Sequence, residues 1–184
     1  LSRGVVEVID RAHLTRALKT KKKLRVKLGI DPTSPILHLG HAALLRKLKQ
    51  FQELGHQAVL IIGDFTAQIG DPAGRESARK PLSEKEIKQN LKTYLKQAGK
   101  IIDLKKTEIH YNSRWFLKEG IKVVWELARI SAVQELLDRA DFQKRLKAGR
   151  GIKLLEVLYP LFQGYDSVKV KADVEVGGGD QKFN

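Results

Sequence analysis

The 184-residue chain has no cysteine and no methionine. No apolar run approaches the ~18 residues of a membrane-spanning helix. Without cysteine there are no disulfides and no thiolate metal sites, which fits a reducing compartment, the cytoplasm. The N-terminus carries no secretory pattern, so no membrane association is expected. Aromatic residues make up only 7%, and none interleave with the basic runs, which argues against a stacking platform for single-stranded nucleic acid. Methionine is missing even at position 1, and the chain stops at "GGGDQKFN" with no helix C-cap or polar tail. Those ends read as a processed, trimmed or redesigned product.

What the chain has in excess is positive charge. The net charge is +14, with lysine and arginine clustered in residues 19–27, 85–106 and 139–153. A basic surface attracts polyanions, of which RNA and DNA are the usual ones. The alternative is a solvated lysine-rich surface of the kind heat-adapted proteins carry.

The length suits one domain, and no internal repeat is visible. Residues 5–20 read as an amphipathic helix, and the alternating, branched "LRVKLGI" at 24–30 as a strand. Pro32 and Pro35 hold the next segment out of helix. A helix then starts at His38 or Leu39 and closes at Gly55. "AVLIIGDF", 58–65, is a nearly continuous apolar run, the mark of a strand buried on both faces of a parallel sheet. "SEKE" at 83–86 is a capping box opening a helix to about Gln97. Residues 107–112 are a third strand candidate. Helices follow at 121–139, 141–147 and 152–168, with Pro160 bending the last or lying near its start, and "ADVEVGG" closes with a fourth strand. Alternating strands and helices give an α/β fold: a doubly wound, Rossmann-like parallel sheet with helices on both faces. Ligands in that fold bind outside the carboxyl ends of the strands, so the loops after Ile30, Phe65 and Val176 should face one cleft.

The first of these loops reads "LGIDPTSPILHLGH", residues 28–41. A metal site needs three or four ligands; His38 and His41 offer two, with no carboxylate at helical spacing, so no metal site is expected. Two readings remain: ordinary histidines at a helix start, or a nucleotide site. A helix N-terminus favours phosphate, and Gly40 leaves room for a base or ribose against the backbone. The glycines match neither the P-loop nor the dinucleotide fingerprint, so any nucleotide is held in another way.

"HLGH" after a first strand and an Asp-Pro-Thr turn resembles the signature of class I aminoacyl-tRNA synthetases. "IGDFTAQIGDPAGR", 62–75, resembles the second strand and loop of bacterial tyrosyl-tRNA synthetases. "YPLFQGYDSVKVKADVEVGGGDQKFN", 159–184, resembles their specificity helix and the strand after it. The likeness runs from residue 25 to 184, in the family's order, and is closest to the subgroup with Lys-x-Gly before the turn.

The resemblance implies that tyrosine and ATP combine to tyrosyl-adenylate and pyrophosphate, with Mg2+ on the ATP phosphates, and that the tyrosyl group then moves to tRNA(Tyr). It implies that Thr33 and His38 contact the phosphates, that Gly40 and His41 hold the adenosine part, and that Gly29 and Asp31 line the same floor. Asp71, Tyr159 and Gln163 would hold the substrate ammonium group, Asp166 would accept from the phenol hydroxyl, and Thr66 would help close the pocket. Gly178 and Asp180 would bind ribose, and Gln181 would lie near the reacting carbonyl. A homodimer through residues about 115–150 is also implied, with Trp115, Phe116, Val123, Val124, Trp125 and Ile130 as its apolar set.

The chain departs from the family at three points. Lys27, which the resemblance places among the tyrosine-binding residues, stands where the best-known members have a tyrosine that also binds the phenol, so phenol recognition is expected to rest on Asp166 alone. Gly179 stands where threonine or serine is usual. The lysine-rich second motif and the anticodon-binding domain are absent, so residues 1–184 read as a single, incomplete catalytic domain, truncated at its C-terminal end and weakly active or inactive alone. The rival expectations are a non-catalytic RNA-binding or scaffold fragment of the same fold, and a tryptophan-specific relative or another nucleotidyltransferase.

Overall fold

The computed structural model describes residues 1–20, 22–72 and 82–182. Four parallel strands form one sheet in the order β3-β2-β1-β4. They are β1 (Arg25–Ile30), β2 (Gln57–Ile62), β3 (Thr107–Tyr111) and β4 (Val174–Val176). Strands β1 to β3 step outward in one direction, and β4 then returns to the far side of β1. That reversal creates a crevice at the carboxyl ends of β1 and β4, where ligands bind in doubly wound sheets.

The strand period of two decides which residues meet which layer. On one face Val26, Leu28, Ile30, Ala58, Leu60 and Ile62 pack with Leu45, Leu48 and Phe51 of α2 (Leu39–Glu53) and Tyr94 and Ala98 of α3 (Glu84–Ala98). On the other, Val59 and Ile61 pack with Trp115 and Phe116 of α4 (Ser113–Glu119) and Tyr159 and Phe162 of α8 (Leu154–Lys169). β2 is buried on both faces, as its apolar run predicts. The second face is more polar, because Arg25 and Lys27 of β1 and Glu108 of β3 project from it. Arg25 forks onto both Glu108 oxygens, at 2.7 and 2.6 Å.

Several boundaries differ from the sequence expectation. The first helix, α1, is only Arg11–Lys19, because Asp10 accepts from the His13 N–H at 2.7 Å and starts it there. Strand β2 ends at Ile62; residues 63–65 turn, and a short 3-10 helix covers Thr66–Gln68. The span 121–139 splits into α5 (Ile121–Ile130) and α6 (Val133–Leu137), since Ser131 and Ala132 are extended. Helix α4 was not foreseen at all; it is set off from α5 by Gly120 at φ 56°. Next comes α7 (Ala140–Lys147), and α8 then carries Pro160 in its interior. Residues 73–75 of the second resemblance stretch, and 183–184 of the third, lie outside the described residues. Among the described residues no helix is long and apolar enough to cross a membrane.

Candidate functional site

The opening histidine pair starts α2. His38 is its N-cap, and its Nδ1 accepts from the Gly40 N–H at 3.1 Å. Nδ1 of His41 accepts in return from the His38 N–H at 3.3 Å. The two rings lie 3.9 Å apart, tilted by 36°. This is a capping box built from histidines. It also assigns the tautomers: with Nδ1 accepting, the proton of each neutral ring sits on Nε2, which becomes a donor. Gly40 is required by the packing, since a Cβ there would stand 2.9 Å from His38 Cε1. Each ring uses its Nδ1 to hold the helix end.

The loop after β1 places Asp31 at the crevice, and the Thr33 N–H donates to its carbonyl at 2.8 Å. One Asp31 oxygen accepts from the Tyr159 hydroxyl at 2.9 Å and the other from Thr66 Oγ1 at 2.7 Å. These two side chains meet over Gly63, where a Cβ would lie 1.9 Å from Asp31 Oδ1. Only glycine fits there. Asn112 Nδ2 donates to Thr66 Oγ1 at 3.0 Å and to Asp166 Oδ2 at 3.2 Å, while its carbonyl accepts from the Phe65 N–H. The Trp115 indole N–H donates to Asp166 Oδ1 at 2.9 Å. Tyr159, Asp31, Thr66, Asn112, Asp166 and Trp115 thus form one continuous network drawn from α8, from α4 and from the carboxyl ends of three strands.

Across the crevice, Gln181 Nε2 donates to Asp71 at 2.9 Å and to Asp180 at 3.2 Å, joining the loop after β2 to the loop after β4. At Gly178 an added Cβ would stand 2.4 Å from Asp180 Oδ1, so a side chain there would displace the exposed Asp180 carboxylate. Gly29 is exposed on β1, and Gln163 is half-buried on α8 with its carbonyl 3.4 Å from Lys27 Nζ. Lys27 itself is fully covered and paired with Glu175 at 2.6 Å, so it underlies the site as a buried cation.

The electrostatics follow from three carboxylates in a covered place. The Tyr159 phenol is pushed well up, first by burial and then by the charges of Asp31 and Asp71. Burial pushes Asp166 up to about 7, against the Lys27 ammonium and the bonds from Asn112 and Trp115, with Asp31 adding to the rise. Such a site welcomes an ammonium ion and offers a buried acceptor to a hydroxyl. Among the described residues no group of three or more histidine, aspartate or glutamate side chains is placed to hold a metal ion.

Asn112, Trp115 and Gly63 were not foreseen as site residues. Asn112 follows the end of β3, so the strand-end rule applied to the other three strands points to it as well. Trp115 reads as an apolar interface residue, yet its buried indole N–H needs an acceptor. Gly63 lies in the "IIGDF" stretch with no sequence mark of the two side chains that meet above it.

A family model described as tRNA synthetases class I (W and Y) matches residues 19–184. A tyrosine–tRNA ligase from Thermotoga maritima is 53% identical over 184 residues, which cover 100% of this chain and 46% of that protein. One from Carboxydothermus hydrogenoformans is 52% identical over 188 residues, with the same two shares. The crystal structure of a C-terminally truncated mitochondrial tyrosyl-tRNA synthetase from Coccidioides posadasii superposes with a TM-score of 0.80 at 30% identity, over 95% of this chain and 51% of that one. The chain spans about half the length of the curated relatives it matches. It belongs to the class I tRNA synthetases of the tryptophan and tyrosine group.

Proposed function

We propose that the site activates tyrosine with ATP and passes the tyrosyl group to tRNA(Tyr). The observation that carries this reading is Asp166, a buried carboxylate fixed from two sides by Asn112 and Trp115 on the same network as Tyr159 and Asp31. A carboxylate has more acceptor sites than the two bonds use, so it can still take a phenol hydroxyl. Phenylalanine would leave its remaining acceptor site unused, which costs a substrate ~10⁴–10⁵ in discrimination. The amino end of the substrate lies toward Asp71, Tyr159 and Gln163.

In the chemical step an oxygen of the tyrosine carboxylate forms a bond to the α-phosphorus of ATP. The bond to the bridging oxygen breaks and pyrophosphate leaves with its Mg2+. No side chain acts as nucleophile. The protein supplies alignment and charge stabilisation: the Nε2–H groups of His38 and His41 and the Thr33 hydroxyl for the phosphates, Gly40 for the adenosine part, Gly178 and Asp180 for ribose, and Gln181 near the reacting carbonyl. Mg2+ arrives as part of the nucleotide substrate, on the ATP phosphates.

The +14 charge supports a polyanionic partner, here the tRNA. Dimerisation is supported by the exposed apolar residues Leu117, Ile121, Trp125, Ile130 and Val133 along α4–α6. Trp115, Phe116 and Val123, expected in that interface, are instead buried in the core and leave it to their neighbours. A soluble synthetase of this kind belongs in the cytoplasm.

The test is pyrophosphate exchange with tyrosine, tryptophan and phenylalanine. Exchange restricted to tyrosine is expected, at least ~10²–10³-fold slower for residues 1–184 than for a full-length relative. RNA binding that survives replacement of Asp71 and Asp166, with no exchange in any length of the protein, would instead establish a non-catalytic RNA-binding role.

A further inference from the structure

Lys27 lies in the middle of β1 with none of its surface exposed. An ammonium ion in such a place is costly unless it is paired and hydrogen-bonded. Its register partner on β4 is Glu175, and the two side chains meet at 2.6 Å. The other Glu175 oxygen accepts from Ser167 Oγ on α8 at 2.7 Å. Lys27 Nζ also approaches the Gln163 carbonyl, one turn earlier on α8, at 3.4 Å. These two attachments bracket Asp166. Above Lys27 on the same face of β1 is Gly29, where a Cβ would stand 3.6 Å from Lys27 Cε. Position 29 therefore places no side chain over the lysine stem. A well-packed apolar residue at position 27 would serve stability as well or better, so a structural role alone does not account for the charge.

We propose that Lys27 is a positioning residue for recognition of the substrate side chain: its link through Glu175 to Ser167 seats the Asp166 turn of α8 on the sheet, and its positive charge beneath that turn supports the Asp166 carboxyl as an acceptor for a phenol. This deepens the tyrosine-pocket reading and rests on it.

The groups around Asp166 act in opposed directions. Lys27 from β1, Asn112 from the end of β3 and Trp115 from α4 favour its charged form; burial and Asp31 oppose it. Tyr159 shares its helix and feels its charge. Glu175 on β4 is tied to Lys27, and His110, whose ring lies 6.2 Å from Trp115, is paired with Glu108. Removing the ammonium leaves Asp31 and Glu175 without its counter-charge, so the Asp166 midpoint must rise.

The experiment measures tyrosine and ATP binding by equilibrium dialysis between about pH 5 and 9, on the full-length protein carrying this chain. Tyrosine binding is expected to strengthen as pH rises through the Asp166 midpoint. In Lys27→Met that midpoint moves up by about one unit or more, weakening tyrosine binding roughly tenfold at neutral pH; ATP binding stays within about twofold. Lys27→Arg restores the parent midpoint. Should Lys27→Met fail to fold, Lys27→Gln keeps a hydrogen bond to Glu175, loses the charge and reads the same shift. An unchanged midpoint in a folded neutral variant, or equal losses of tyrosine and ATP binding, would overturn the assignment. Failure of the unmodified protein to bind tyrosine at all would overturn the pocket reading beneath it.

Discussion

At the scale of single residues, Asp166 carries opposed demands. Its carboxyl is raised to about 7, chiefly by burial. In the unfolded chain an aspartate titrates near ~3.9. The folded state therefore holds this proton where the unfolded state has released it, and folding stability from this group falls as pH rises from about 4 to about 7. Between about pH 5.5 and 8 the loss amounts to about 2 kcal/mol. Carboxylates held low, such as Glu108 beside Arg25 and Asp173 beside the Arg25 N–H and Lys22, contribute stability that is lost only as pH falls below this window. Thermal melts should thus show a declining Tm from about pH 5.5 to 8, and a flat one in Asp166→Asn. The same variant should weaken tyrosine binding by ~10–100-fold, the worth of a charged hydrogen bond, with ATP binding unchanged.

At the scale of elements, capping and buried pairing decide how firmly site-bearing helices are held. His38 caps α2 through its Nδ1. Its replacement by alanine should cost about 1 kcal/mol in denaturant unfolding, as other N-cap losses do, beyond any effect on catalysis. Between α7 and α8, Arg145 and Glu156 are buried together at 2.6 Å, and Arg145 also holds the Gly151 carbonyl at 2.7 Å. Arg145 Nε has no partner among the described residues, so the guanidinium already has little to spare. Glu156→Leu leaves it uncompensated and should destabilise by about 3–5 kcal/mol. Arg145→Met in the same protein should recover much of that, a coupling that urea titration of the double-mutant cycle will measure.

At the scale of the whole molecule, α4–α6 carry a row of exposed apolar residues. Trp125 is 72% and Ile121 82% exposed. On the proposed dimer, replacing Trp125 and Ile130 by glutamate should shift the sedimentation equilibrium to a folded monomer. An unaltered sedimentation profile would remove these helices from the interface. Much of the architecture behind this surface was legible beforehand. The Ser83–Glu86 capping box starts α3 where the motif predicts, with Ser83 and Glu86 exchanging bonds. Gly55, at φ 86°, follows the end of α2. Helix α4 escaped notice because "SRWFLKE" is a single short stretch, stabilised by burial of Trp115 and Phe116 more than by a period of its own.

The sequence alone determined the parallel α/β order, the helix start at His38 and the residue types available at the strand ends. Those depend on local periodicity, capping and strand-end chemistry, which a linear reading can see. Tertiary structure decided which side chains meet: that Asn112 and Trp115 hold Asp166, that Gly63 gives way to Asp31 and Thr66, and that Lys27 turns beneath the floor to Glu175. Those contacts join residues tens to over a hundred positions apart. They arise only when the sheet order brings β4 beside β1 and lays α8 across the face that Lys27 shares.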